Sequence, residues 1–388
     1  MELKRVALAF RRRQAIPGLH DTITRLAALR RRPPAPNRAA NDRLSQFDDF
    51  GSNPGSLLAR AYIPGSLRAG APLVVVLHGC TQTASSYDLG SGWSSLADEH
   101  GFALLFPEQQ RLNNPNLCFN WFRPQDSSRG RGEALSIRQM VSAMHARHGT
   151  DRERVFITGL SAGGAMAAVM LATYPDVFAG GGIIAGLPFG TARSVPEAFE
   201  RMRGQGEIDP DRLAGLVRSA SSYAGPWPTL SVWHGSGDAT VDISNAKAIV
   251  DQWRMLHGAA RNPCRSGTVE GYPHHVWCDA DGRDVIEEYI VTGMAHGTPL
   301  NTGDCLGEAA GPYMLDAGIS STRGIAQFWG ITDGSVGSAK PSLVVAEPVR
   351  HRSATNSAEH SRGKGRKPAA DGVQKTIEDA LRAAGLLR

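Results

Sequence analysis

Six strand-length runs, spaced so that a helix fits between most of them, constrain what this chain can fold into. Leu73–Leu77 reads Leu-Val-Val-Val-Leu, without a polar break. Phe102–Phe106, Arg154–Thr158, Gly180–Ile184, Thr229–Trp233 and Asp284–Val291 follow it. A half-exposed strand alternates polar and apolar residues, whereas an unbroken apolar strand has both faces covered. Helical stretches lie at Ser95–His100, Glu133–His148, Gly163–Tyr174 and Ser244–Leu256. The alternation predicts an α/β fold, with a mostly parallel central sheet and helices on both faces.

The ends of the chain differ from its middle. Of 388 residues, 41% are hydrophobic, enough for one sizeable core or two modest ones. The net charge of +5 is concentrated in the termini. Residues 1–45 hold eleven Lys/Arg against three Asp/Glu, and residues 336–388 hold ten against five. The middle, 46–335, is acidic, at −8. Composition therefore predicts a basic, mobile N-terminal arm (1–45) and a folded α/β domain (46–335). A basic low-complexity tail (336–388) follows, with a short helical pattern at Thr376–Leu387. The arms suit contact with an anionic surface, nucleic acid or a polymer granule. Nothing in the sequence sets an oligomeric state.

No run approaches 18 uninterrupted apolar residues, so no membrane span is expected. Arg11, Arg12 and Arg13 interrupt the apolar patch Val6–Phe10 before a secretory signal develops, and a cytoplasmic location is expected on that reading. The five cysteines, Cys80, Cys118, Cys264, Cys278 and Cys305, match no zinc pattern and fit free thiols. Cys264 and Cys278 flank a hairpin-like stretch and could pair in an exported protein.

Chemistry enters at Gly159-Leu160-Ser161-Ala162-Gly163, a G-x-S-x-G that follows an apolar strand and opens an Ala- and Met-rich helix. That strand–turn–helix setting is the nucleophile elbow of α/β-hydrolases, which points to Ser161 as nucleophile. A serine hydroxyl needs a neighbouring base. In this fold an acid and then a histidine follow the nucleophile, at the ends of later strands. Thr229–Trp233 runs into His234-Gly235-Ser236-Gly237-Asp238, which makes Asp238 the candidate acid; Asp242 is the alternative, or a cap for the helix at 244–256. Asp284–Val291 runs into Thr292-Gly293-Met294-Ala295-His296, which makes His296 the candidate base. His234, His274 and His275 compete but precede the acid or the last strand. The loop after the first buried strand, Leu77–Thr83, offers the Cys80 N–H to an oxyanion, and Ala162, next after the nucleophile, offers the second. The Cys80 side chain reads as packing. The mechanism calls for no metal and no cofactor.

Seven stretches in order, LHGCTQT (77–83), FPEQ (106–109), CFNWF (118–122), RGRGE (129–133), GLSAGGAM (159–166), HGSGDATV (234–241) and GMAHGTP (293–299), resemble the polyhydroxybutyrate (PHB) depolymerase family of esterases. The resemblance implies an α/β-hydrolase fold and a Ser161–Asp238–His296 triad. It also implies hydrolysis of esters, including polyesters of short 3-hydroxy acids, with feruloyl and acetylxylan esterases as relatives, and sets an extracellular location beside the cytoplasmic one. Asn120 and Trp121 are candidate substrate-binding residues: Trp121 as an apolar wall or a packed core aromatic, Asn120 as the residue fixing its loop. Residues 187–225, less regular and with an amphipathic piece at Pro196–Arg203, are a candidate cap or lid.

Overall fold

The computed structural model describes residues 42–206, 208–304 and 307–332. Most of the expected arm, the whole expected tail and Cys305 lie outside the described residues, and so does the anionic-surface expectation that rested on them. Ten strands form one sheet in the order β1-β2-β4-β3-β5-β6-β7-β10-β9-β8. The strands are β1 (Ser45–Gln46), β2 (Leu58–Tyr62), β3 (Leu73–Leu77), β4 (Ala103–Glu108), β5 (Val155–Leu160), β6 (Gly180–Ile184), β7 (Thr229–Gly235), β8 (Arg265–Val269), β9 (Tyr272–Cys278) and β10 (Asp284–Val291). The six central strands, β4-β3-β5-β6-β7-β10, pair in parallel. Antiparallel strands finish both edges.

The unbroken apolar strands are buried on both faces, as their composition demands. Leu73, Val75 and Leu77 point into one core, and Val74 and Val76 into the other. Strand β4 divides the same way, with Ala103 and Leu105 on one side and Leu104 and Phe106 on the other. Helices α1 (Ala84–Ser91), α2 (Trp93–His100), α3 (Gly132–His148), α4 (Ala162–Thr173), α5 (Val195–Met202), α6 (Pro210–Arg218), α7 (Ser244–His257) and α8 (Ser321–Phe328) cover the sheet or its connections. Every residue of α4 is buried, which is why it is apolar all round and built largely from Ala, Gly and Met. A small parallel pair, β11 (Thr298–Leu300) and β12 (Met314–Asp316), follows β10. Beyond α8, Trp329 stacks on Phe156 (4.9 Å) and Trp93 (6.1 Å). No helix among the described residues is long and apolar enough to cross a membrane.

Two expectations need correction. The folded body starts slightly before residue 46: Ser45 pairs with Ala61 in the sheet, and Arg43 ion-pairs with Asp98. Four of the five cysteines, those among the described residues, are not free thiols. Cys80 bonds Cys118, and Cys264 bonds Cys278 across the β8–β9 hairpin.

The crossover from β5 to α4 is the tightest point of the fold. A Cβ on Gly163 would lie 2.4 Å from the Leu77 carbonyl oxygen and 2.5 Å from that of His78, both backbone atoms of the β3 end. Neither can move without displacing β3, so only glycine fits. Gly163→Ala should cost about 3 kcal/mol or more in chemical denaturation. By contrast, Cys264→Ser/Cys278→Ser removes a cross-link of 14 residues' separation. It should cost about 3 kcal/mol with ester hydrolysis retained, because neither cysteine lines the cavity described below.

Candidate active site

Ser161 joins β5 to α4 at φ 57 and ψ −117, a region that side-chain-bearing residues avoid. Such a conformation costs about 1–3 kcal/mol and persists only where its surroundings enforce it. Enforcement comes from both sides: the Ser161 N–H donates to Ile184 O (2.9 Å) on β6, and Gly163 is wedged against β3. The turn leaves Ala162 as the first residue of α4, so its N–H has no intrahelical acceptor and points from the positive end of the helix.

Asp238 sits just past β7, with its side chain wholly shielded from solvent. Its Oδ1 accepts from the N–H groups of Thr240 (2.8 Å) and Val241 (2.9 Å). Its Oδ2 accepts from His296 Nδ1 (2.7 Å). Burial works to raise the Asp238 pKa, but hydrogen bonds from His234 and His296 outweigh it and hold the carboxyl well below the usual range. With Nδ1–H committed to Asp238, the other ring nitrogen of His296 is the one available as a base. Tyr313 packs edge-on against the His296 ring at 6.1 Å.

The loops carrying the candidate acid and base are joined backbone to backbone. A Cβ on Gly235 would fall 2.2 Å from Met294 O. Gly237 N–H donates to Met294 O (3.0 Å), and Gly293 N–H to Ser236 Oγ (2.8 Å). The glycines of HGSGD and GMAHG are the residues that allow this contact.

The competing residues are occupied elsewhere. Asp242 Oδ1 accepts from the Ser244 N–H at the start of α7 (2.9 Å), while Ile243 holds the N-cap position itself. His274 bonds Glu287 (3.0 Å) and stacks on Tyr289 (4.2 Å). His275 bonds Ser266. His234 is buried beside the acid: Nε2 donates to Val241 O (2.9 Å) and lies 3.4 Å from Asp238 Oδ2. Its adjacency to Asp238 was visible in the sequence as an i, i+4 spacing, but only the turn brings the two side chains together.

Cys80 and Ala162 line one cavity with Ser161 and His296. The candidate oxyanion loop is held from behind. His78 is buried; its Nδ1 donates to Gly79 O (2.8 Å) and its Nε2 accepts from the Gln109 N–H (3.1 Å). Burial lowers its pKa to about 4, which keeps it neutral. Gln82 Oε1 accepts from the Gly79 N–H (2.8 Å), and Thr81 N–H donates to Asn116 O (2.7 Å). The Cys80–Cys118 bond ties this loop to the segment that carries Trp121, so Cys80 does more than pack. Ser161 and His296 face the same cavity but are not hydrogen-bonded to each other, a bond that commonly tightens only once substrate is in place.

Of the two candidate substrate contacts, Trp121 lines the cavity and Asn120 does not. Asn120 is buried, its side chain donating to Glu133 Oε1 (2.6 Å) and accepting from Asn114 Nδ2 (3.2 Å), while its N–H reaches Glu133 Oε2 (2.9 Å). Gln109 Nε2 also donates to Glu133 (2.6 Å). Burial nevertheless pushes the Glu133 pKa up to about 8. Asn120 therefore fixes the loop that presents Trp121, and the expected substrate contact is corrected. Glu133 stood in the RGRGE stretch, but no local signal tied it to a loop 13 residues earlier.

Helix α5, in the candidate cap, contributes Val195, Ala198, Phe199 and Met202 to the cavity wall. It is fastened to α7 by a reciprocal pair: Arg201 Nε donates to Asn245 Oδ1 (2.9 Å), and Asn245 Nδ2 donates to Arg201 O (3.0 Å).

Comparison with known proteins agrees with this architecture. Residues 58–269 match the family model described as esterase PHB depolymerase. The chain is 48% identical over 291 residues to poly(3-hydroxyalkanoate) depolymerase C of Paucimonas lemoignei, covering 74% of this chain and 70% of that one. It is 30% identical to feruloyl esterase B of Talaromyces stipitatus over 267 residues, 66% of this chain and 73% of the relative. The solved acetyl xylan esterase of Aspergillus awamori superposes with a TM-score of 0.64 at 25% identity, over 74% of this chain and 99% of the other. The chain thus belongs to the esterase PHB depolymerase family and is a carboxylic ester hydrolase of the α/β-hydrolase fold.

Proposed function

We propose that the chain hydrolyses poly- or oligo-(3-hydroxybutyrate)-type esters through an acyl-enzyme on Ser161. The observation that carries the reading is the Asp238–His296 hydrogen bond at 2.7 Å, with His296 and Ser161 on one cavity whose walls include Trp121, Phe122, Leu187 and Phe199. His296 takes the Ser161 proton as Oγ attacks the ester carbonyl. The N–H groups of Cys80 and Ala162 stabilise the oxyanion, and His296 returns the proton to the leaving 3-hydroxyl. Water, activated by the same histidine, then releases the acid and restores Ser161. The depolymerase relative at 48% identity supports the polyester substrate over the feruloyl and acetylxylan esters suggested by relatives at 30%.

Residues 187–225 act as a cap in this scheme, supplying one apolar wall through α5. The two disulfides support maturation in an oxidising compartment, outside the cytoplasm.

Steady-state hydrolysis of p-nitrophenyl butyrate, a 3-hydroxybutyrate oligomer and methyl ferulate by wild type and variants tests the reading. Ser161→Ala should lose at least about 10³-fold in kcat on every ester, and Asp238→Asn about 10⁴-fold, because the amide turns the His296 tautomer the wrong way. The oligomer should be preferred to methyl ferulate. Preference for ferulate transfers the substrate to the cell-wall class; a Ser161→Ala variant that turns over normally contradicts the nucleophile.

A further inference from the structure

Among the described residues, Arg123 is the only Lys, Arg, Asp or Glu on the cavity wall. It follows Trp121 and Phe122 on the loop that Asn120 and Glu133 hold in place. Its backbone is fixed, with Arg123 N–H donating to Asn120 O (3.0 Å), so the side chain starts from a rigid base. The guanidinium lies over the Phe122 ring at 5.9 Å from the centroid. Asp126 feels its charge, yet no ion pair joins the two, and the guanidinium donates no hydrogen bond to a described residue. A half-buried cation with all its donors unspent, on the wall of an otherwise uncharged cavity, is set up for an anionic group on the substrate.

We propose that Arg123 binds the free carboxylate of a linear oligoester and thereby selects chains by their carboxyl end. The inference rests on the polyester reading and deepens it. In an oligomer of 3-hydroxy acids, the acyl half of any cleaved bond carries the hydroxyl end, and the departing alcohol carries the carboxyl end. Arg123 accordingly marks the leaving-group side of the cavity. A planar guanidinium suits a carboxylate because two parallel N–H donors meet its two oxygens. Acetyl and feruloyl esters of neutral sugars offer no such group on the leaving alcohol, so the arginine distinguishes the substrate classes that the comparisons leave side by side.

The test compares the 3-hydroxybutyrate trimer with its terminal primary amide, which removes the charge without adding a second kind of ester bond. The readout is the ratio of their kcat/KM values within each enzyme, so any general loss in a variant cancels. Wild type should favour the free acid about tenfold, mainly through KM. Arg123→Gln should bring the ratio close to one, and Arg123→Lys, which keeps the charge but not the fork, should retain part of it. A wild-type ratio near one, or a ratio that Arg123→Gln leaves in place, overturns the inference while the polyester reading stands. If neither trimer is cleaved by an enzyme that hydrolyses p-nitrophenyl butyrate, the polyester reading falls and takes the inference with it.

Discussion

The backbone of Gly163 lies against the carbonyls of Leu77 and His78, and most of the site's geometry depends on that contact. It presses the start of α4 onto the end of β3, the two segments that offer the candidate oxyanion donors Ala162 and Cys80. With α4 held there, the turn between β5 and α4 has too little room for an ordinary conformation, and Ser161 takes up φ 57. The unfavourable dihedral lifts the serine side chain off the sheet edge into the cavity. Local strain of this kind is retained because the sheet on one side and the helix on the other leave no alternative.

A second backbone contact does the same for the candidate acid and base. Gly235 abuts Met294, so the turns after β7 and β10 form one unit. Asp238 is then locked by two backbone N–H groups on Oδ1 and by His296 and His234 around Oδ2. Four groups favouring the charged form offset burial of the carboxylate, which keeps its pKa low. The remaining wall is built at a distance: Glu133 on α3 holds Asn120, Asn120 holds the Trp121 loop, and the Cys80–Cys118 bond joins that loop to the oxyanion side. Stiff surroundings for a reacting centre are what preorganised electrostatic stabilisation requires.

The parts legible in the sequence are those with a local physical signature. Leu73–Leu77 coincides with its strand because burial on both faces imposes an apolar composition, and Gly180–Ile184 and Asp284–Val291 also coincide with theirs. Strand β2, Leu-Ala-Arg-Ala-Tyr, escaped because its buried positions are alanines and it lies near an edge. Helix α1 escaped because it is polar and contains Gly90, where a Cβ would meet the Met314 side chain at 2.6 Å. The β8–β9 pair showed only as two cysteines flanking a turn. At the site, Ser161, Asp238 and His296 stand where the strand ends place them. The Cys80–Cys118 bond, the Glu133–Asn120 clasp and the Arg201–Asn245 pair link residues far apart in sequence, 38 positions in the first case, and no local pattern specifies such partners. The Cys264–Cys278 pairing was left open by the sequence, and the free-thiol expectation failed at Cys80 and Cys118 because a cysteine count says nothing about which loops converge.

The proposed mechanism requires that Ser161 alone becomes acylated. The most direct measurement is peptide mapping by mass spectrometry after treatment with an organophosphonate ester, which mimics the tetrahedral intermediate and stays bound to the attacking oxygen. Wild type should carry a single adduct, on the peptide containing Ser161, and Ser161→Ala none. An adduct on another residue, or equal labelling of the Ser161→Ala variant, contradicts it.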